Sequence, residues 1–257
     1  MGTEVELLPV DLGQGITAGF TTRHGGVSPE PWDSSNLGPN VDDAPGNVAE
    51  NRARLAAQVG APIAYAWQVH GNRVLSLSDE DRQAWAAPTP PISAGEADAM
   101  VMSTRGLGLA VLVADCVPVL LADAKAGIVA VAHAGRRGIE LDVIGQTVAA
   151  LRARGANTDG LAAAIGPAIC GNCYEVPEDM REDLASLVPA AWAQTRLGTP
   201  GLDLPAAAAY QLKAAGVTRV TRLEVCTYED ERMFSHRRAT HFGQRTGRQA
   251  GFVVAKM

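Results

Sequence analysis

The chain has 257 residues, which is enough for one large domain or two small ones, and its composition of 47% hydrophobic and 19% charged residues is typical of an ordered globular protein. The net charge of -6 argues against a protein held to nucleic acid by bulk phosphate attraction. The N-terminus lacks a leader-like pattern and no long uncharged apolar run is present, so we expect a cytoplasmic protein without a membrane partner.

Amphipathic stretches and runs of branched residues predict helices and strands along the chain. In chain order, the predicted elements are the helix NVAENRARLAAQV before Gly60, the strands LGLAVLVA, VPVLLAD and GIVAVAHA, the helix LDVIGQTVAALRARG, the strand LAAAIG, the helices VPEDMREDLASLVP and LPAAAAYQLKAAG, and the strands RLEVCT and GFVVAKM. The near-continuous apolar runs predict strands covered on both faces. This mixture indicates a layered α/β or α+β fold, and we expect one domain over residues 1–257 despite the proline-rich connection 86–98.

Three residues with metal-ligating side chains are associated with predicted strands or extended segments. Cys116 interrupts the apolar run VLVADCVPVLLAD, and His133 lies at the end of the strand in VAHAGRRG. His70 lies in WQVHGNRV, where an extended apolar segment meets a glycine turn. Strand ends and the loops after them commonly carry active sites, because the sheet holds them in fixed relation. Two imidazoles and a thiolate form a plausible three-ligand set for zinc with an open fourth position, although each residue alone is compatible with a purely structural role.

The same side chains are compatible with a second chemistry. Cys116 can be the nucleophile and His133 the base of a thiol hydrolase, with Asp115 or another group orienting the imidazole. The sequence spacing does not separate this hypothesis from the zinc hypothesis.

The remaining cysteines include a closely spaced pair in CGNCYEV. Cys170 and Cys173 have Cys-x-x-Cys spacing, but a zinc site of this type usually needs a second pair, and only Cys226 is left. A redox pair would be expected at a helix start, whereas Gly166 and Pro167 upstream indicate an irregular loop. We therefore expect packed free thiols, and a dithiol function stays open.

One candidate anion site lies near the N-terminus. In TTRHGGVS, the double glycine lets backbone amides approach an anion, and Arg23 can add a bidentate clamp. The motif lacks the Lys-Ser/Thr pair of a phosphate loop, so a simple turn is the alternative.

Several motifs, taken in order, resemble the YfiH/YlmD-like family, and the match covers nearly the whole chain. They are TTRHGGVS, SSNLGPNVDDAPGNVAENRARL, WQVHGNRV, EADAMV, ADCVPVLLAD, AHAGRRG, IGPAICGNCYEV and CTYEDERMFSHRRATHFGQRTGRQAGF. Members of that family have been labelled polyphenol oxidases or laccase-domain proteins, purine nucleoside phosphorylases and peptidoglycan editing factors. The resemblance implies a single-domain α+β fold, a layered α/β/β/α sandwich related to a cysteine-hydrolase-like toxin domain.

The resemblance also implies the site and the reaction. The family's zinc ligands correspond to His70, Cys116 and His133, which would also be the catalytic residues, and Arg23 and Arg137 are the candidates for binding substrate phosphate. The implied activity is phosphorolysis of adenosine, inosine and methylthioadenosine, with adenosine deamination as a second reaction. The partners would thus be purine nucleosides and phosphate.

Two alternatives to this activity follow from the other family labels. One is a cysteine- or zinc-dependent amide hydrolase that edits peptidoglycan precursors. The other is a copper-dependent polyphenol oxidase, which we disfavour because one His-Cys-His set has too few ligands for a multi-copper cluster, while copper can displace zinc in vitro. The chain departs from the family pattern at Arg136, where tryptophan is common, and at His236, where tyrosine is common.

Overall fold

Strands and helices are interspersed through residues 4–257, the part of the chain that this computed structural model describes. The strands are β1 Leu7–Val10, β2 Ile16–Thr21, β3 Ile63–Tyr65, β4 Val74–Ser76, β5 Ala99–Met102, β6 Gly108–Val113, β7 Val117–Asp123, β8 Ile128–Ala134, β9 Leu161–Ile165, β10 Trp192–Gln194, β11 Pro200–Leu202, β12 Arg219–Arg222 and β13 Gln249–Ala255. The helices are α1 Pro45–Val59, α2 Asp79–Trp85, α3 Arg136–Glu140, α4 Val143–Ala153, α5 Glu178–Leu187, α6 Leu204–Ala214 and α7 His236–His241.

Two mixed sheets form the centre of the molecule. One has the strand order β1-β2-β13-β6-β3, and the other has the order β12-β9-β7-β8-β5-β4. Strand β13 contacts β7 and β8, and β6 contacts β8, so the two sheets pack face to face. Antiparallel pairs such as β7–β8 occur beside parallel pairs such as β3–β6. The result is the predicted single-domain α+β fold.

The strand β7 shows how the core is divided. Val119 and Leu121 belong to the hydrophobic cluster on the outer face of the six-stranded sheet, whereas Leu120 and Ala122 belong to the cluster between the sheets. Successive side chains of a strand point to opposite faces, so a strand buried on both sides must be apolar throughout. This confirms the prediction made from the continuous apolar runs.

Helices cover the outer face of the six-stranded sheet. Helix α4 contacts β4, β5 and β8, and α6 contacts β7 and β9. Helix α1 packs Leu55 and Val59 into the other cluster and ends at Gly60, whose φ of 74° lets its N–H bond back to the last turn. All four helices predicted from the sequence are confirmed. The relation to a cysteine-hydrolase-like domain stays a prediction.

One predicted strand is wrong. The segment RLEVCT, residues 222–227, is irregular apart from its first residue, because β12 lies earlier in the chain and ends at Arg222. After that point the chain leaves the sheet and pairs with the loop after β9, through an isolated bridge between Ala168 and Cys226. Two loops are thus joined where the sequence pattern indicated a continuous strand.

Across residues 4–257, none of the helices combines the length and apolar character that a membrane crossing needs.

Candidate metal and active site

The fold brings His70, Cys116 and His133 together. His70 lies in the loop after β3, Cys116 immediately precedes β7, and His133 lies near the end of the neighbouring β8. Their potential ligand atoms all lie within 4.8 Å of one another. The Cys116 Sγ to His70 Nε2 distance is 3.9 Å, and the two imidazole rings meet edge to face with centroids 4.8 Å apart. These three residues are called the His-Cys-His triad below.

A buried aspartate that the sequence analysis did not assign to the site organises two members of the triad. Asp98 accepts hydrogen bonds from the backbone N–H groups of Val69, His70 and Gly71 at 3.1, 2.9 and 2.7 Å. It also lies 2.8 Å from His133 Nδ1. When Nδ1 carries the proton, the opposite nitrogen, Nε2, is free to bind a metal. The signal in the sequence was the Asp of EADAMV, one residue before β5.

The same contact constrains the backbone of His70. Its φ is 59°, in the left-handed region that non-glycine residues seldom adopt. The adjacent amides converge on one Asp98 carboxylate, and these hydrogen bonds stabilise the turn that presents the imidazole. The sequence analysis predicted a glycine turn here, and the turn begins at His70 itself.

Cys116 and His133 shift each other's ionisation. Burial by itself would raise the pKa of the Cys116 thiol, but the charge of His133 and hydrogen bonds with His133 and His70 lower that pKa to about 6. Burial by itself would lower the pKa of His133, but Cys116 and the hydrogen bond to Asp98 raise that pKa to about 9. The metal-free site therefore favours a thiolate beside an imidazolium near neutral pH.

Asp115, the acid beside the thiol, binds groups outside the triad. Its carboxylate accepts hydrogen bonds from the Thr227 hydroxyl and from the Arg237 backbone N–H, both at 2.6 Å. It therefore anchors backbone, whereas Asp98 is the carboxylate that contacts the His133 imidazole. The φ of Asp115 is 90°, so the chain is not extended at this residue. At this turn the Asp115 carboxylate binds Thr227 and the Arg237 backbone, while the neighbouring Cys116 thiol belongs to the triad.

Two cavities meet at the triad. One has a volume of about 330 Å³ and is lined by all three residues of the triad, by the arginines Arg52 and Arg248, and by mostly apolar residues that include Trp67 and Val113. The other has a volume of about 420 Å³ and is lined by His70, Cys116 and the arginines Arg136, Arg137 and Arg237. We call them the tryptophan cavity and the arginine cavity. His236, one of the two departures from the family pattern, lines both.

The predicted substrate-binding arginines lie in different places. Arg137 lines the arginine cavity beside the triad. Arg23 lines a separate cavity of about 750 Å³, where it binds the Asp33 carboxylate at 2.7 Å and lies over the Phe234 ring. Arg136, which stands where the family commonly has tryptophan, forms an ion pair with Glu140. The geometry thus joins Arg137 to the triad and leaves Arg23 apart from it.

The triad fits a metal ion in its donor set and in the space around it. Two imidazoles and a thiolate are preferred zinc ligands, and three protein ligands leave one position for another group. A Cβ added at Gly135 would lie 3.0 Å from His70 Cδ2 and 3.1 Å from Cys116 Sγ. Glycine at the start of α3 therefore keeps the space between the ligands open.

Comparison with known proteins identifies the family. A family model described as multi-copper polyphenol oxidoreductase laccase matches residues 17–256. The chain belongs to this family, which includes the YfiH-like proteins. Among its relatives, a protein of Streptomyces coelicolor named purine nucleoside phosphorylase is 45% identical, over 95% of this chain and 97% of the relative. The Escherichia coli protein named purine nucleoside phosphorylase YfiH is 37% identical, over 93% and 94%.

Solved structures agree with this assignment. YlmD from Geobacillus stearothermophilus has a TM-score of 0.85 and 34% identity, covering 95% of this chain and 93% of that protein. The Bacillus licheniformis protein YfiH has a TM-score of 0.88 and 30% identity, covering 100% and 97%. The names of these relatives support an enzyme. A purine nucleoside and phosphate are the substrates that those names imply.

Proposed function

We propose that the protein is a zinc-binding purine nucleoside phosphorylase that acts on adenosine, inosine and methylthioadenosine, with adenosine deamination as a second activity. The observation that carries the proposal is the position of the His-Cys-His triad, where the tryptophan cavity meets the arginine cavity. Phosphorolysis needs a site for a flat, weakly polar base next to a site for a phosphate anion. The names of the relatives point to the same reaction.

The two cavities suit the two substrates. The tryptophan cavity offers Trp67 and Val113 as apolar surface for a purine. Its two arginines, Arg52 and Arg248, donate hydrogen bonds to backbone carbonyls. The arginine cavity offers guanidinium groups, which bind phosphate oxygens in pairs. We assign phosphate to Arg137 rather than Arg23, because Arg23 lines another cavity and is paired with Asp33. The role of Arg23 predicted from the sequence stays a prediction.

His70, Cys116 and His133 would hold the zinc ion, with Asp98 fixing the orientation of the two histidines. Bound zinc would supply Lewis-acid chemistry at this junction, which the deamination of adenosine requires. The protein's own contribution is to bring the nucleoside and phosphate into contact, since orientation accounts for a large share of the rate of such two-substrate reactions.

The test is turnover of inosine by protein of defined zinc content, with and without phosphate, followed by separation of the products. We expect hypoxanthine and ribose 1-phosphate only when phosphate is present, and strong loss in the Cys116→Ala and His133→Ala variants. A surface substitution, Arg82→Ala on α2, is the matched control. Full activity of correctly folded triad variants would contradict the site assignment.

The phosphate assignment has a separate test. Arg137→Ala should raise the KM for phosphate at least about tenfold, as expected for a lost charge-assisted hydrogen-bond pair. Arg23→Ala should leave that KM nearly unchanged. The opposite result would move the phosphate site to the cavity lined by Arg23.

A second candidate function rests on the ionisation of the same residues. Cys116, His133 and Asp98 form a thiol-imidazole-carboxylate series in which the thiol pKa is lowered, as in cysteine hydrolases. A cysteine-dependent amide hydrolase acting on peptidoglycan precursors would release a free amino acid without needing phosphate. Such release by metal-free protein, together with no turnover of inosine or adenosine, would favour this function over the phosphorylase.

Copper oxidase activity is the least favoured function, although the family description names copper. The triad supplies one group of three ligands, and a second group in residues 4–257 consists of three cysteines and a glutamate. Multi-copper oxidation would need several adjacent copper ions with additional imidazole ligands. Oxidase activity that appears only after copper is added would indicate replacement of zinc.

A further inference from the structure

We propose that Cys170, Cys173, Cys226 and Glu229 bind a structural zinc ion at a second site, separate from the His-Cys-His triad. The sulfur and carboxylate ligand atoms of these four residues lie within 4.8 Å of one another. In tetrahedral zinc sites the Zn–S bond is about 2.3 Å, which places neighbouring ligands about 3.8 Å apart. A contraction of about 1 Å would therefore complete the site.

The sequence presents these ligands as two matching turns. Cys170 and Cys173 have Cys-x-x-Cys spacing, and Cys226 and Glu229 have the same spacing with a carboxylate in the last position. In the first turn, the N–H groups of Cys173 and Tyr174 both donate to the Cys170 carbonyl at 3.0 Å. In the second, the N–H of Glu229 donates to the Cys226 carbonyl at 3.2 Å. Glu229 supplies the fourth ligand that the sequence pattern lacked.

The backbone already holds the two turns against each other. Ala168 N–H donates to the Val225 carbonyl at 3.2 Å, and Thr227 N–H donates to the Ala168 carbonyl at 3.1 Å. The Cys170 N–H also points at Cys226 Sγ, with an N to S distance of 3.4 Å. Backbone N–H groups aimed at sulfur stabilise thiolates, the form that binds a metal. The segment 223–227 leaves the sheet to make these contacts.

A nearby arginine helps to balance the charge. Arg196 Nη2 lies 2.9 Å from Cys173 Sγ and also contacts the Glu229 carboxylate. Three thiolates and one carboxylate carry a formal charge of -4, which zinc reduces to -2 and Arg196 to -1. Without a cation, four such groups would repel one another unless some were protonated. Thiolate-rich ligand sets of this kind favour zinc among the common divalent metals.

A zinc ion here would fix loops that reach the His-Cys-His triad. The loop after β9 continues from Cys173 to Tyr174, which lines the arginine cavity. Ile169, directly before Cys170, donates its N–H to the Asp115 carbonyl at 3.0 Å, and Asp115 precedes Cys116. The Asp115 carboxylate in turn binds Thr227, one residue after Cys226. The second zinc ion would thus join the loop after β9 to the segment 223–229. The proposal of this site does not rest on the proposed nucleoside chemistry.

The first experiment measures bound zinc in full-length protein purified under reducing conditions without a histidine tag. Cys116→Ala removes the triad's only thiolate, so about one zinc per chain should remain after exchange against free zinc. Adding Cys170→Ser and Cys226→Ser should reduce the remaining zinc to none. Glu224→Gln, an exposed acid outside the four ligands, is the control and should leave the zinc content unchanged.

The two proposals fail in different ways. If Cys116→Ala loses inosine turnover but keeps one zinc per chain, both the proposed function and the second zinc site are supported. If wild-type protein keeps the zinc of the second site but does not turn over inosine, only the proposed function is overturned. No zinc in Cys116→Ala, with its other three thiols reduced, overturns the second site. A disulfide among Cys170, Cys173 and Cys226 in freshly purified protein would also overturn the second site.

Two further measurements guard against variants that fail to fold. In wild-type protein, zinc should protect Cys170, Cys173 and Cys226 from alkylation, and a chelator should expose them, as followed on peptides by mass spectrometry. Glu229→Cys should keep the site and tighten zinc binding, because four thiolates form a standard structural zinc site. Equal alkylation with and without zinc would overturn the proposal.

Discussion

At the scale of single residues, Asp98 links the two histidines of the site. It is 1% exposed, and its carboxylate serves three backbone amides and His133 at once. Burial by itself would raise the pKa of Asp98, but the hydrogen bonds from His133 and Gly71 bring that pKa below its ordinary value. The charged form therefore predominates, and it is the form that accepts all of these hydrogen bonds.

Replacing Asp98 with Asn should impair both folding and metal binding. The substitution replaces one carboxylate oxygen with an NH₂ group, so buried N–H groups that bonded this oxygen lose their acceptor. We expect this loss to lower the free energy of unfolding by about 2–4 kcal/mol. Zinc affinity should fall about 10- to 100-fold, because the histidine orientation is no longer fixed. Denaturant unfolding and zinc titration measure the two effects. Asp123→Asn, at the far end of β7, should lower only stability.

The ionisation of Cys116 can be measured in metal-stripped protein. The thiolate is the reactive form, so alkylation of Cys116 should be fast above its pKa of about 6 and should slow as the pH falls through that value. His133→Ala removes the main stabilising charge and should move the midpoint toward about 8.5, the value for an unperturbed thiol. Peptide mass spectrometry separates Cys116 from the other cysteines. A wild-type midpoint near that of a free thiol would contradict the pairing.

At the scale of elements, the start of α3 packs closely against the triad. Gly135 precedes this helix with an ordinary φ of -74°, so the need for glycine is one of space and not of backbone conformation. Gly135→Ala would press a methyl group against His70 and Cys116.

We expect Gly135→Ala to lower zinc affinity at least about tenfold, with a loss of about 1–3 kcal/mol in stability from overpacking. Gly46→Ala in α1 is the control, because its Cβ would meet no atom within 4 Å. That change should stabilise the protein by about 0.5–1 kcal/mol and leave zinc binding unchanged. Unaltered zinc affinity in Gly135→Ala would show that the ligands move freely.

The approach to α1 depends on one buried acid. Asp43 accepts hydrogen bonds from Ser28, Asn36 and Asn47, at 2.7, 2.9 and 3.2 Å. Burial by itself would raise the pKa of Asp43, but the hydrogen bonds from Asn36, Ser28 and Asn47 lower it below its ordinary value. A lowered pKa in the folded state means that this carboxylate stabilises the fold above about pH 4 and loses that effect as the pH falls through the folded value.

The destabilisation caused by Asp43→Asn should therefore depend on pH. We expect a loss of about 1–3 kcal/mol at pH 7, and a smaller difference from wild type near pH 3, where the wild-type carboxylate is also becoming protonated. Denaturant unfolding at several pH values measures it. A difference that does not change with pH would show that the charge of Asp43 contributes nothing.

At the scale of the whole molecule, the two sheets meet around Phe20. This side chain of β2 is 1% exposed, and a Cβ added at Gly166, just after β9 in the opposite sheet, would lie 2.2 Å from its ring. A Cβ added at Gly251 on β13 would also lie close to the ring, at 3.0 Å. The absence of a side chain at Gly166 therefore sets how closely the sheets approach.

Gly166→Ala should destabilise the protein by about 2 kcal/mol or more, because the ring has no room to move in a packed core. Phe20→Leu in the same chain should recover part of the loss, giving a favourable coupling energy of about 1 kcal/mol in a double-mutant cycle. Thermal or denaturant unfolding of the wild type, the two single variants and the double variant measures this coupling energy. Additive effects would mean that the sheets separate without involving Phe20.

The sequence by itself determined the α+β class, the four longest helices and most of the core strands, because periodicity and capping residues act over a few positions in the chain. It also selected His70, Cys116 and His133 by residue type and by place at strand ends. The tertiary structure decided what distant residues do together. Asp98 became the partner of His133, Arg23 and Arg137 were assigned to different cavities, and Glu229 joined three cysteines across 59 residues of chain from Cys170. These contacts arise from strand pairing and loop packing between segments far apart in sequence, and no local pattern of residues encodes them.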